Sequence, residues 1–114
     1  MKQFKITLEL PPTDNHLYLQ RGKMRFMTRQ GKEWKEIAQL LSKQIWKQEL
    51  LEGELLADIV FYLKRDRDIQ GSTKLLLDTF QEIVYNNDNQ LTHINLHKMM
   101  DKENPRVELT IEKL

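Results

Sequence analysis

Nine residues in the middle of the chain, Leu55 to Leu63 (LLADIVFYL), carry a single charged side chain. Ala57, Ile59, Phe61 and Leu63 fall on one face of an extended segment, and Leu56, Val60 and Tyr62 partly cover the other. A strand that is apolar on one face and largely apolar on the other belongs in the centre of a sheet, with other elements packed over it. The run is interrupted by Asp58 and is far too short to span a bilayer. The remaining residues must therefore supply flanking strands and covering helices.

They read that way. Phe4, Ile6, Leu8 and Leu10 alternate with polar residues as a half-buried strand does; Pro11-Pro12 ends it, and Thr13-Asp14-Asn15 is turn chemistry. Residues 16–20 and 24–27 form two short strands around Arg21-Gly22-Lys23. A helix is expected from an N-cap at Thr28, with Trp34, Ile37, Ala38, Leu41, Ile45 and Trp46 at helical spacing and Gly53 placed as its C-terminal cap. A second helix is expected from about Ser72 to Ile83, burying Leu76, Leu77, Phe80 and Ile83. Leu91–Met99 and Arg106–Glu112 close the chain as two strands across the polar turn Asp101–Pro105. The order β-(ββ)-α-β-α-β-β predicts an α/β protein of the α+β kind: a small mixed β-sheet with two main helices, in one domain spanning 1–114.

At 114 residues the chain is small enough that dimerisation is a natural way to gain core. It has no cysteine, which excludes a disulfide scaffold and a thiolate zinc site and fits a reducing compartment. The N-terminus lacks the apolar run of a signal peptide, so a cytoplasmic protein without membrane contact is expected. Net charge is only +1 but is unevenly spread. Residues 20–47 hold eight Lys or Arg against two Glu, and residues 48–114 hold eight basic and thirteen acidic side chains. A basic half beside an acidic half suits a metal-dependent nucleic-acid enzyme, although solvated helix faces produce such runs as well.

His93 and His97 lie in an alternating segment. At ~3.3 Å per residue a strand holds them roughly 13 Å apart, too far to share a zinc ion. His16 has no identifiable catalytic partner. Asp66 and Asp68 follow the apolar strand two residues apart and would point the same way if the strand continued. Ser72 and Thr73 open the next helix, and Asp88 follows it in a polar turn. A chain reversal between them brings Asp68 and Asp88 together around Mg²⁺, which prefers oxygen ligands. The plain alternative is that all three are ordinary loop aspartates and Lys74 a helix-surface lysine.

Several stretches together resemble the RusA family of Holliday-junction resolvases. Ile6-Thr7-Leu8 with Pro11-Pro12-Thr13-Asp14-Asn15 is similar to the family's opening strand and its Pro-Pro-Ser-x-Asn turn. Arg67-Asp68-Ile69-Gln70-Gly71-Ser72-Thr73-Lys74, running into Leu76-Leu77-Asp78-Thr79-Phe80, resembles Asp-x-Asp-Asn-x-x-Lys and the helix after it. Asn87-Asp88-Asn89-Gln90-Leu91 resembles the segment that holds the third aspartate. The resemblance implies a RusA-like fold and a homodimeric, Mg²⁺-dependent endodeoxyribonuclease that nicks four-way DNA junctions in pairs during recombination and repair. It assigns Asp68 and Asp88 to metal binding and catalysis, and Lys74 to the scissile phosphate. Gln70 stands where the family has its second aspartate, so Gln70 or Asp66 completes the metal set, or the site is weakened. A register shifted to Asp66 and Asp68 puts Ser72 at the lysine position; the first register needs no gap before Asp78. Asn15, Arg21, Lys23, Arg25, Arg29, Lys32, Arg67 and Lys74 are the expected DNA contacts. The alternative function is a junction-binding protein that keeps the fold but has lost catalysis at Gln70; a structural protein with no nucleic-acid role is a third.

Overall fold

The structure is a computed structural model that describes residues 3–114, apart from the side chains of Asp14 and Asn15. It is mixed α+β, with a four-stranded mixed sheet, a separate two-stranded ribbon and two main helices. The elements are β1 (Gln3–Leu8), α1 (Asp14–Leu17), β2 (Tyr18–Arg21), β3 (Met24–Met27), α2 (Arg29–Ile45), β4 (Leu55–Leu63), α3 (Gln70–Thr79), β5 (Leu91–Met100) and β6 (Arg106–Lys113).

The main sheet runs β1-β6-β4-β5, with β4 antiparallel to β6 and parallel to β5. The apolar run is β4, and Leu55, Ala57, Ile59, Phe61 and Leu63 are all buried on its helix-facing side. Phe4 of β1 ties both helical segments to the sheet. Its ring meets Trp46, just past α2, edge-on at 5.9 Å, and Phe80, just past α3, at 5.2 Å.

Thr28 caps α2 as expected, its hydroxyl accepting the Gly31 N–H at 3.0 Å. The buried stripe of α2 is narrower than the apolar spacing implied. Gly31, Ala38 and Ser42 are buried and Trp34 half-buried, whereas Ile37, Leu41 and Ile45 are exposed. The buried positions are small, and Ile37 and Leu41, though exposed, line a cleft with Thr7, Leu8 and Glu9 at the end of β1. The helix stops at Ile45; Gly53, at φ +78°, turns the later loop instead of capping it. Residues 16 and 17 belong to a helical turn, so the first ribbon strand begins at Tyr18. α3 begins at Gln70 and ends at Thr79, and Ile83 lies half-buried beyond it.

The β4–α3–β5 unit is a parallel crossover, which places the start of α3 at the carboxyl end of β4 and its end near the amino end of β5. β5 is an edge strand with one unpaired side. Its register sets Ile94 beside Ala57, Leu96 beside Ile59 and Met100 beside Leu63, on the same face as the core. No helix reaches that far: Ile94, Leu96 and Met100 remain 46%, 41% and 57% exposed. His93 and His97 lie on the opposite face, where His97 Nε2 is 3.5 Å from an Asp58 oxygen. No helix among the described residues is long and apolar enough to cross a membrane.

Candidate active site

The strand does not continue through Asp66 and Asp68, so the two aspartates turn to different partners. Asp66 Oδ1 receives the Lys98 ammonium at 3.1 Å. Asp68 Oδ1 accepts the Gln70 N–H at 3.0 Å, satisfying one of the open donors at the start of α3 that the N-cap Ile69 leaves unmet. A carboxylate has about four acceptor positions, so this bond leaves Asp68 able to take another ligand. Gln70, the first residue of α3, is exposed. Arg67 is half-buried and donates to the Pro11 carbonyl at 2.7 Å and to the Ser72 hydroxyl at 3.4 Å, pinning the Pro-Pro turn to α3.

Asp88 sits at the other end of α3, in a tightly bonded turn. Gln90 uses its whole amide there: Oε1 accepts the Asn86 and Asn87 N–H groups, and Nε2 donates to the Leu51 and Gly53 carbonyls, all at 2.9–3.0 Å. The Asn87 side chain accepts the Asn89 N–H, and the Asp88 N–H donates to Gln81 Oε1, each at 3.0 Å. These bonds present Asp88 to the last turn of α3, beside the carboxyl of Asp78.

Burial first, and then the hydrogen bond and negative charge of Asp88, raise Asp78 above the ordinary aspartate value. Lys35 of α2 and Lys74, one helical turn earlier on α3, act in the opposite direction. Tyr85 is buried beneath this group. Its desolvation, followed by the charges of Asp88 and Asp78, pushes the phenol upward, and the neutral hydroxyl is committed to the Leu77 carbonyl. Two carboxyls thus meet at the C-terminal end of α3, with the Lys35 and Lys74 ammonium groups within electrostatic reach of Asp78.

Asp68 is not part of that group. The expected chain reversal occurs, but α3 stands between: its ten residues at ~1.5 Å each span about 15 Å, with Asp68 before its first residue and Asp78 in its last turn. Among the described residues, no three His, Asp or Glu side chains converge as a metal-ligand set. Within one chain Asp68 precedes α3 and Asp88 follows it.

Of the expected DNA contacts, Arg21, Lys23, Arg25, Arg29 and Lys32 are exposed on the ribbon and the start of α2. Arg29 pairs with Glu33 at 3.0 Å, and the Arg25 guanidinium stacks 4.0 Å from the centre of the Tyr18 ring. Lys74 is exposed on α3, and the Asn15 side chain lies outside the described residues.

The profile of the family described as Endodeoxyribonuclease RusA matches residues 9–112, nearly the whole chain. The chain belongs to the RusA endodeoxyribonuclease family. No curated protein matches it. RusA membership implies a nuclease of the Holliday-junction-resolving kind. Two side chains of the converging group escaped the sequence reading. Asp78 served there only to align the RusA motif, because a lysine and an aspartate four apart on a helix look like a surface pair. Lys35 had no signal, since its approach to Asp78 depends on how α2 and α3 pack.

Proposed function

We infer that the protein is a Mg²⁺-dependent endonuclease that resolves four-way DNA junctions as a homodimer. The observation that carries this reading is Asp88 set beside Asp78, with the positive charge of Lys74, a residue of a separate motif, acting on the same carboxyl. Two neighbouring carboxyls, one of them raised in pKa, repel each other when both are charged, and a cation would relieve that repulsion. That donor set fits a hard divalent ion, and Asp78 supplies the negative charge that Gln70 lacks.

Asp68 and Gln70 join this set from a second copy. The support is topological. Asp66, beside Asp68, contacts Lys98 near the carboxyl end of β5, whereas Asp88 immediately precedes its amino end. If the free edges of two β5 strands pair antiparallel about a two-fold axis, the Asp68 end of one copy lies alongside the Asp88 end of the other. Residues 91–100 contain no acid and one lysine, already neutralised by Asp66, so the two edges meet without strong repulsion. The pairing also extends the uncovered row of Ile94, Leu96 and Met100 and closes an edge that would otherwise invite aggregation.

The ion, when bound, supplies Lewis-acid charge for in-line displacement at phosphorus. Asp88 and Asp78, with Asp68 and Gln70 of the other copy, would hold it. The Lys74 ammonium neutralises non-bridging phosphate oxygens. Lys35 adds a second cation on the α2 side. The Tyr85 hydroxyl, donating to the Leu77 carbonyl, is not available to protonate a leaving group. Arg21, Lys23, Arg25, Arg29 and Lys32 hold backbone phosphates, and Arg67 acts by positioning the Pro11 turn.

An end-labelled four-way junction incubated with the protein and Mg²⁺, with linear duplex as control, tests this reading. Paired nicks confined to the junction are expected. Asp88→Asn is expected to abolish nicking while junction binding is kept or improved, because it removes a ligand and a negative charge near phosphate. Unchanged nicking by that variant removes Asp88 from the site. The second reading, a junction-binding protein without catalysis, is favoured by Gln70 at a ligand position and is decided by tight wild-type binding without nicks.

A further inference from the structure

The β2–β3 ribbon is separate from the main sheet, and its two faces differ. Cross-strand register pairs Tyr18 with Met27, Leu19 with Phe26, Gln20 with Arg25 and Arg21 with Met24. Tyr18 and Arg25 share one face, where ring and guanidinium stack. Leu19, Phe26, Arg21 and Met24 share the other. On that face Leu19 is 56%, Phe26 43% and Met24 61% exposed, and Leu19, Phe26 and Arg21 line a shallow groove.

The fold does not need these side chains. The ribbon is held at its base, where Leu17 is buried, the Thr28 N–H donates to the Leu17 carbonyl at 2.7 Å, and the Thr28 hydroxyl donates to the His16 carbonyl at 2.5 Å. Toward the tip, the Gly22-Lys23 turn, with Gly22 at φ +60°, sends the apolar pair and the bulk of the positive charge outward together. An isolated two-stranded ribbon is marginal in water, and the Leu19–Phe26 cross-strand pair still leaves about half of each side chain open to a partner.

Charge selects the occupant. From Asn15 to Lys32 the chain has no acidic residue and five Lys or Arg, three of them on the ribbon or its turn. A second copy of the same face would bring like charges together. A nucleic acid neutralises them, but a closed duplex offers no apolar surface because its bases are stacked. The bases at a branch point do offer it, since they can be unstacked and laid against an aromatic or aliphatic side chain.

We propose that the β2–β3 ribbon is the branch-sensing element: Phe26, flanked by Leu19 and Met24, packs against an unstacked base at the junction centre while Arg21, Lys23 and Arg25 grip the flanking phosphates. The proposal rests on the reading of the protein as a junction nuclease. It assigns preference for branched over linear DNA to an apolar wedge and leaves overall affinity to the cations.

The test uses a four-way junction with 2-aminopurine at the crossover and a linear duplex of the same sequence, both in Ca²⁺ in place of Mg²⁺. Wild-type protein is expected to raise 2-aminopurine fluorescence at the crossover. Phe26→Ala is expected to lose that rise and to weaken junction binding by about ten- to a hundred-fold, with duplex binding unchanged. Phe26→Trp is expected to restore both. Lys23→Ala is expected to weaken junction and duplex equally and to lower the salt slope by about one. Phe26 is partly exposed, and circular dichroism checks that the alanine variant is folded. Equal loss on both DNAs, or no loss, overturns the wedge and leaves the junction reading standing. A change in sedimentation instead of DNA binding overturns it by making the face a contact between copies. Wild-type protein that binds neither DNA overturns the junction reading and the wedge with it.

Discussion

Asp78 is the residue on which the site's electrostatics turn. Its folded pKa lies above its unfolded value, so the native state holds the proton more tightly than the unfolded chain does. That contribution to stability is present in acid and is lost as pH rises from the ordinary aspartate value through the folded one. At neutral pH the charged Asp78 carboxylate, desolvated by burial and set beside Asp88, therefore opposes folding. Asp78→Asn is expected to raise the Tm at neutral pH in EDTA by one to a few degrees, with the gap closing in acid near the ordinary aspartate value. Thermal unfolding followed by circular dichroism at the two pH values measures it. Adding Mg²⁺ is expected to raise the wild-type Tm and to do so less in Asp78→Asn, because an ion that binds only the native state stabilises it by mass action. A variant less stable at neutral pH without metal shows that Asp78 is held by its lysines more than it is repelled by Asp88. At this scale the sequence named Asp88, Asp68 and Lys74 through their motifs. Asp78 was not legible, because its partner lies across a turn whose closure depends on one glutamine, Gln90, bridging back to Leu51 and Gly53.

Among the elements, β4 could be read almost residue for residue, because its alternation between buried and half-buried positions is set by local geometry alone. α2 could not. Ile37, Leu41 and Ile45 keep helical spacing, yet they stay exposed, Ile37 and Leu41 along a cleft at the end of β1, because which part of a helix is covered depends on how the surrounding elements pack. Gly31 shows the same rule where α2 meets the ribbon. A Cβ there would lie 3.0 Å from Met27 Cγ, 3.2 Å from the Leu17 carbonyl oxygen and 3.3 Å from Leu17 Cδ2. Alanine in place of glycine favours a helix by roughly 1 kcal/mol, but backbone cannot yield as a side-chain tip can. Gly31→Ala is therefore expected to loosen the ribbon from its base while leaving the main sheet intact. Faster amide exchange confined to residues 18–27 is the expected result, and unchanged exchange there shows that Met27 and Leu17 absorb the methyl group.

For the whole molecule the question is how Asp68 and Asp88 serve one reaction when α3 keeps them apart. The radius of gyration is 14.2 Å, against about 13 Å for a compact chain of this length, in keeping with a projecting ribbon and an uncovered edge strand. Pairing through β5 predicts an active site shared between two copies, and subunit mixing tests that directly. Asp68→Asn and Asp88→Asn homodimers are each expected to be inactive, since every shared site in them lacks one ligand. In a mixed dimer, one site takes both of its native aspartates, Asp68 from the Asp88→Asn subunit and Asp88 from the Asp68→Asn subunit. The other site lacks both. Random re-assortment makes half of the dimers mixed, each with one working site, so about a quarter of wild-type nicking returns, as single nicks in place of pairs. If instead each chain builds its own complete site, every site in every mixture carries one defect and no activity returns. Leu96→Lys separates pairing from chemistry. It sets a second positive charge beside Lys98 on the same face of β5, one with no carboxylate to neutralise it, and is expected to give a folded monomer by sedimentation, unable to nick until the edge is restored. Activity regained on mixing, together with activity lost in the Leu96→Lys monomer, fixes the β5 edge as the seam of the enzyme; a nicking monomer removes it from that role.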